Sequence, residues 1–134
     1  MKICLIVANY YPIMSKKLIL GALKELKKNK IKNIKILYVP GIFEIPIVIS
    51  KKINSFNGFI ALGCVIKGKT PHFSFISQST INALMDLSIK YKKPIGNGIV
   101  TSLNTKQAYE RSDPSRKNKG GEAAKAVLSV LDII

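Results

Sequence analysis

The sequence predicts a three-layer α/β/α sandwich built on a four-stranded parallel sheet, and three observations carry that reading. Four short apolar runs rich in β-branched residues, over 3–8, 34–39, 58–66 and 94–101, have the composition of strands covered on both faces. Between them lie segments with helical periodicity. Strands that alternate with helices pair in parallel through right-handed crossovers. The length of 134 residues suits one domain, 1–134, and a hydrophobic content of 47% excludes a disordered chain.

The first strand, 3–8, runs into Asn9-Tyr10-Tyr11-Pro12, which sets two aromatics at a strand's carboxyl end. They either cover the edge of the core or offer a stacking face to a planar ligand. Ser15 is expected to cap the next helix. Leu18, Ile19, Ala22, Leu23 and Leu26 form the apolar face of that helix, and its lysines stay in water. After the second strand, Pro40-Gly41-Ile42-Phe43-Glu44-Ile45-Pro46 forms another carboxyl-end loop and leads into a helix over 43–53. Glu44 stands in its first turn, where an acid complements the dipole or binds ligand hydroxyls.

The third strand leads into Lys67-Gly68-Lys69-Thr70-Pro71-His72-Phe73. Gly68 frees the backbone to turn, Thr70 is placed to cap, and Pro71 falls at the first helical position. The only histidine of the chain, His72, therefore stands at a helix start. Free N–H groups, a positive dipole end and a proton-transfer group meet there. The helix over 71–91 is poor in charge, which implies that something covers it, such as another subunit. The fourth strand carries Gly96-Asn97-Gly98, small residues that mark a close approach. A capping box at 104–107 opens a short helix to 111, and the last helix runs from Asn118-Lys119-Gly120-Gly121 to Ile134.

The net charge of +15 comes from 22 basic and 7 acidic residues. It invites a nucleic-acid reading. Against that, only Arg111 and Arg116 are arginines and the lysines are spread over every surface segment, so no specific nucleic-acid partner is expected. No apolar run reaches the roughly 18–20 residues of a membrane-spanning helix. The apolar N-terminus reads as a first strand and not as a signal peptide. Cys4 and Cys64 fall inside strands and form no C-x-x-C pair, so they read as buried thiols in a reducing, cytoplasmic setting. One His and two buried Cys are too few for a metal site, and no Walker loop or dinucleotide fingerprint is present. No cofactor is expected.

Taken together, Pro-Gly-Ile-Phe-Glu-Ile-Pro at 40–46, Leu-Gly-Cys-Val-Ile-Lys-Gly-Lys-Thr-Pro-His-Phe at 62–73, Gln-Ala-Tyr-Glu-Arg at 107–111 and Asn-Lys-Gly-Gly-Glu-Ala-Ala at 118–124 closely resemble the lumazine synthase family. The resemblance spans nearly the whole chain in order and spacing. It implies a flavodoxin-like fold and a cofactor-free transferase of riboflavin biosynthesis. The implied reaction joins 5-amino-6-(D-ribitylamino)uracil to 3,4-dihydroxy-2-butanone 4-phosphate and gives 6,7-dimethyl-8-ribityllumazine, phosphate and water. It also implies an active site between neighbouring subunits of a homopentamer, with a sixty-subunit capsid as the larger assembly and riboflavin synthase as a candidate partner.

By resemblance, Tyr10 stacks on the pyrimidine ring. Ile42, Phe43 and Glu44 hold the ribityl chain, while Cys64, Val65 and Ile66 line the ring edge. Gly68, Lys69 and Thr70 form the phosphate-side loop, and His72 moves protons. Asn97, Arg111 and Lys119 come from the adjacent subunit, the last two to bind phosphate. The chain departs from the family in three places. Many members carry Arg-Phe-Asn in place of Asn9-Tyr10-Tyr11, an acid or alanine in place of Lys69, and an aromatic in place of Asn97. The N-terminus is also shorter than the arm of capsid-forming members, which favours the free pentamer. The alternative reading is a catalytically weak riboflavin- or lumazine-binding or storage paralogue.

Overall fold

The computed structural model describes residues 1–133. Its elements follow in the order β1 (Lys2–Ala8), α1 (Pro12–Lys28), β2 (Asn33–Val39), a 3-10 turn (Ile42–Glu44), α2 (Ile45–Lys52), β3 (Gly58–Ile66), α3 (His72–Tyr91), β4 (Ile95–Ser102), α4 (Thr105–Ser112) and α5 (Lys119–Ile133). The four strands form one parallel sheet in the order β2-β1-β3-β4. This is the expected α/β architecture, with helices on both faces.

The alternation of β1 divides the core in two. Ile3, Leu5 and Val7 face α1 and α5, where they meet Leu18, Ala22, Leu26, Ala124 and Val127. Cys4, Ile6 and Ala8 face the opposite layer, where Ile45, Ile49 and Leu84 cover them. Successive side chains of a strand point to opposite faces, so an unbroken apolar run is what a sheet covered on both sides requires.

The first layer is closely packed. A Cβ on Gly96 would lie 2.5 Å from the Ala123 carbonyl oxygen, and one on Gly120 would collide with the Leu18 carbonyl. The close approach expected at Gly96 is therefore made by α5. The second layer is less closed. Phe75, Met85 and Ile89 of α3 are 66%, 60% and 68% exposed, and Ile47 of α2 is exposed beside them. The low charge of α3 thus leaves an open apolar face.

Several helix starts differ from expectation. α1 begins at Pro12, three residues before Ser15. Ser15 is buried inside the first turn, and its hydroxyl donates to the carbonyls of Ala8 (2.9 Å) and Tyr11 (3.0 Å). Proline already has the φ of a first helical residue and removes one of the N–H groups left unpaired at a helix start, so the chain enters the helix at Pro12 without a side-chain cap. The helix expected over 43–53 divides into the 3-10 turn and α2, with Pro46 in the first turn of α2. α3 starts at His72, with Pro71 in the capping position and not at the first helical one. Thr70 Oγ1 accepts from His72 N at 3.4 Å, a long contact in place of a firm cap.

Gly68 does not use the left-handed region. Among the described residues positive φ occurs only at Lys30, Lys92 and Asn118. The expected box before α4 is present in part: Asn104 accepts from Gln107 N (2.9 Å), while Gln107 accepts from Leu103 N (2.8 Å) instead of from Asn104. The expected end of α5 at Ile134 lies outside the described residues.

Candidate active site

In a parallel sheet every strand ends on the same side, and the loops that follow gather there. At that edge the segments after β1, β2 and β3 enclose a cleft of about 300 Å³. β1 contributes Tyr10 and Tyr11, the loop after β2 contributes Gly41 and Ile42, and the end of β3 contributes Cys64, Val65 and Ile66. The loop beyond it and the first turn of α3 add Gly68, Thr70, His72, Phe73 and Ile76. The lining is mostly apolar and aromatic with a few polar groups, the composition of a small-molecule site.

Tyr10 is largely exposed at the mouth, and Tyr11 is half-buried behind it. The two rings meet edge to face, with centroids 5.0 Å apart and planes at 73°. Cys64 is buried, and desolvation pushes its thiol up to about 11, so at neutral pH it is an uncharged wall. His72 is exposed at the N-terminus of α3. Unpaired N–H groups of the first turn surround it, and they favour negative charge nearby. Glu44 lies at the edge of the cleft, half-buried, and its Oε1 accepts from Gly41 N at 2.9 Å. That bond fixes the Gly41–Glu44 turn and holds the carboxylate in place.

A second cleft, of about 290 Å³, lies at the end of β4. Ile99, Val100, Thr101, Arg111, Lys117, Lys119 and Glu122 line it. The Arg111 guanidinium donates to the Thr101 carbonyl, which anchors it across the end of the strand. Lys119 stands 3.7 Å from Glu122 one turn along α5. Three cations against one carboxylate make this cleft a ready anion site.

The structure therefore brings Tyr10, Ile42, Cys64, Val65, Ile66, Thr70 and His72 together, and sets Arg111 and Lys119 apart in another cleft. Four expected residues line neither: Glu44, held to Gly41 beside the first cleft, and three more. Phe43 is exposed outside the first cleft, Lys69 is exposed on the loop, and Asn97 is exposed on β4 with its side chain accepting from Ile99 N at 3.1 Å. Tyr11, one of the two tyrosines read as a stacking face or a core edge, lines the first cleft; Phe73 and Ile76 line it without having been singled out for it, and Lys117 does the same in the second. Adjacency to Tyr10, and the i+1 and i+4 spacing from His72 along one helix, were the available signals.

Among the described residues, no three His, Cys, Asp or Glu side chains gather as a metal site, and no helix is long and apolar enough to cross a membrane.

The fold and the first cleft define a parallel-sheet α/β protein with a mostly apolar and aromatic cleft, of small-molecule size, at the carboxyl ends of its strands. Residues 1–134 match the family described as 6,7-dimethyl-8-ribityllumazine synthase. The chain is 40% identical to 6,7-dimethyl-8-ribityllumazine synthase 1 of Rhodopseudomonas palustris (strain ATCC BAA-98 / CGA009), over 98% of this chain and 85% of the relative. It is 40% identical to the enzyme of that name from Wigglesworthia glossinidia brevipalpis, over 99% and 90%, and 42% identical to that of Buchnera aphidicola subsp. Baizongia pistaciae (strain Bp), over 98% and 86%. The chain belongs to the 6,7-dimethyl-8-ribityllumazine synthase family.

Proposed function

We propose that this chain catalyses the reaction its relatives are named for, acting as one domain in a homo-oligomer whose active sites are shared between neighbouring copies. It joins 5-amino-6-(D-ribitylamino)uracil to 3,4-dihydroxy-2-butanone 4-phosphate and releases 6,7-dimethyl-8-ribityllumazine, phosphate and water. The observation that carries the shared site is the separation of an aromatic, His72-bearing cleft from a cationic, Arg111-bearing cleft within one chain. The exposed apolar face of α3 supports a covering neighbour. A pentamer is the assembly this reading favours.

In this reading Tyr10 covers the pyrimidine ring, and Cys64, Val65 and Ile66 border its edge. Ile42, Phe43 and Glu44 take the ribityl chain, with the Glu44 carboxylate accepting from its hydroxyls. Arg111 and Lys119 of the next copy hold the phosphate, while Lys69 and Thr70 close on it from the loop side and Asn97 faces the ring from the adjacent β4. Both substrates react readily, so juxtaposition supplies most of the acceleration. His72, beside the ring and the helix N-terminus, moves protons during imine formation and phosphate departure. Buried, unpaired Cys4 and Cys64 suit a reducing cytoplasm.

Steady-state turnover with both substrates tests the proposal. Formation of the lumazine with saturation by each substrate is expected. Tight binding of the ribitylated pyrimidine without turnover would replace the enzyme by the binding or storage paralogue.

A further inference from the structure

Tyr11 lines the first cleft and has no part in the proposed reaction. Tyr11 immediately precedes α1, and its carbonyl accepts from both the backbone N–H and the hydroxyl of Ser15, each at 3.0 Å. The side chain is thus launched from an anchored backbone. Its ring packs against the core on the α1 side and edge-on to Tyr10. Among the described residues its hydroxyl has no hydrogen-bond partner, and the Cys64 thiol is its neighbour on the cleft wall. Burial, with Tyr10 and Cys64 adding to it, pushes the phenol above its ordinary range, so it keeps its proton at neutral pH and remains a donor.

Ile42, Val65, Ile66 and Ile76 make the adjoining wall apolar. A fixed donor on an apolar wall orients a ligand strongly, because a bound molecule that cannot meet it leaves it unpaired.

We propose that Tyr11 is a specificity-determining residue of the cleft: its hydroxyl donates to a carbonyl oxygen or ring nitrogen on the edge of the heterocyclic substrate while Tyr10 covers the ring's face. This rests on reading the first cleft as the pyrimidine site.

The test is calorimetric titration of the assembled protein with 6-(D-ribitylamino)uracil, which lacks the reactive 5-amino group, together with steady-state kinetics. Tyr11→Phe removes only a hydroxyl that has no partner in the protein, so native mass and melting temperature should match the parent. Affinity for the probe is expected to fall about 10-fold. KM for the butanone phosphate should stay unchanged. Parental affinity in Tyr11→Phe overturns the proposal, as does an equal loss toward both substrates, which would mark a packing role. A parent that binds the probe without turnover sinks the enzyme reading and leaves Tyr11 to be judged by the binding ratio. A parent that does not bind the probe sinks both.

Discussion

Two clefts open along the carboxyl edge of the same sheet, and they share no lining residue. The one between β1 and β3 is aromatic and apolar, with His72 in its lining. The one at the end of β4 is cationic, with Arg111, Lys117 and Lys119 against Glu122. The first suits a heterocycle and the second a phosphate. A reaction that joins a pyrimidine to a phosphate ester needs both within bonding distance. Under the proposed function, the contrast teaches that one copy supplies the ring half and its neighbour the phosphate half.

The two helical layers repeat the contrast. The α1 and α5 layer is closed on itself, while α3 turns Phe75, Met85 and Ile89 outward.

Breaking the contact between copies should have the largest effect. Met85→Lys with Ile89→Lys puts two charges on the open face of α3. The native mass should fall toward that of a single 14.8 kDa chain, and turnover should drop roughly 10³-fold because the two halves no longer meet. A variant that keeps both mass and turnover would place the interface elsewhere. His72→Ala acts within the ring half alone. It should lower kcat about 10²-fold and leave residual activity from juxtaposition; complete loss in a correctly assembled variant would contradict a merely assisting proton carrier. Arg111→Ala acts within the phosphate half. It should raise KM for the butanone phosphate about 10-fold, as expected for a lost charged hydrogen bond, with little change toward the pyrimidine. An unchanged KM would remove Arg111 from the site.

The smallest expected effect is a pH dependence that belongs to the ring half. The Cys64 thiol is raised in the folded state from 9.0 to about 11, so the folded protein holds this proton more tightly than the unfolded chain. Its contribution is complete below pH 9 and is lost as the pH rises from 9 toward 11. The denaturation midpoint should decline through that window, and less steeply in Cys64→Ala. An identical slope in the variant would mean that other groups govern the decline. Cys4, raised likewise to about 11, should account for part of what remains.

Much of the fold was legible because burial on both faces leaves an unmistakable mark. A run such as Ile3 to Ala8, with both alternating sets apolar, permits little besides a central strand. Helix starts were less legible. Ser15 and Thr70 are the side chains that propensity favours as caps, yet Pro12 and Pro71 fix the chain entry, and Ser15 spends its hydroxyl on carbonyls behind it.

The site was legible in part. Cys64 to Ile66 and His72 sit where a strand ends and a helix begins, which sequence order alone shows. Phe73 and Ile76 were hidden because an aromatic or an isoleucine beside a loop reads equally well as core edge, and Tyr11 was legible only as one of those two alternatives. The separation of Arg111 and Lys119 from His72 was not readable from spacing at all, since it follows from their place beyond β4.

Mixed assemblies test the central claim most directly. His72→Ala and Arg111→Ala chains are made separately, shown to assemble, and then co-assembled in equal amounts. If the halves come from different copies, about a quarter of the sites in a randomly mixed ring combine an intact His72 with an intact Arg111, and turnover at butanone phosphate well below the parent KM, where both variants are impaired, recovers to about that share of the parent. Turnover no higher than the average of the two variants would mean that each chain carries its own complete site, and the shared-site account would be wrong.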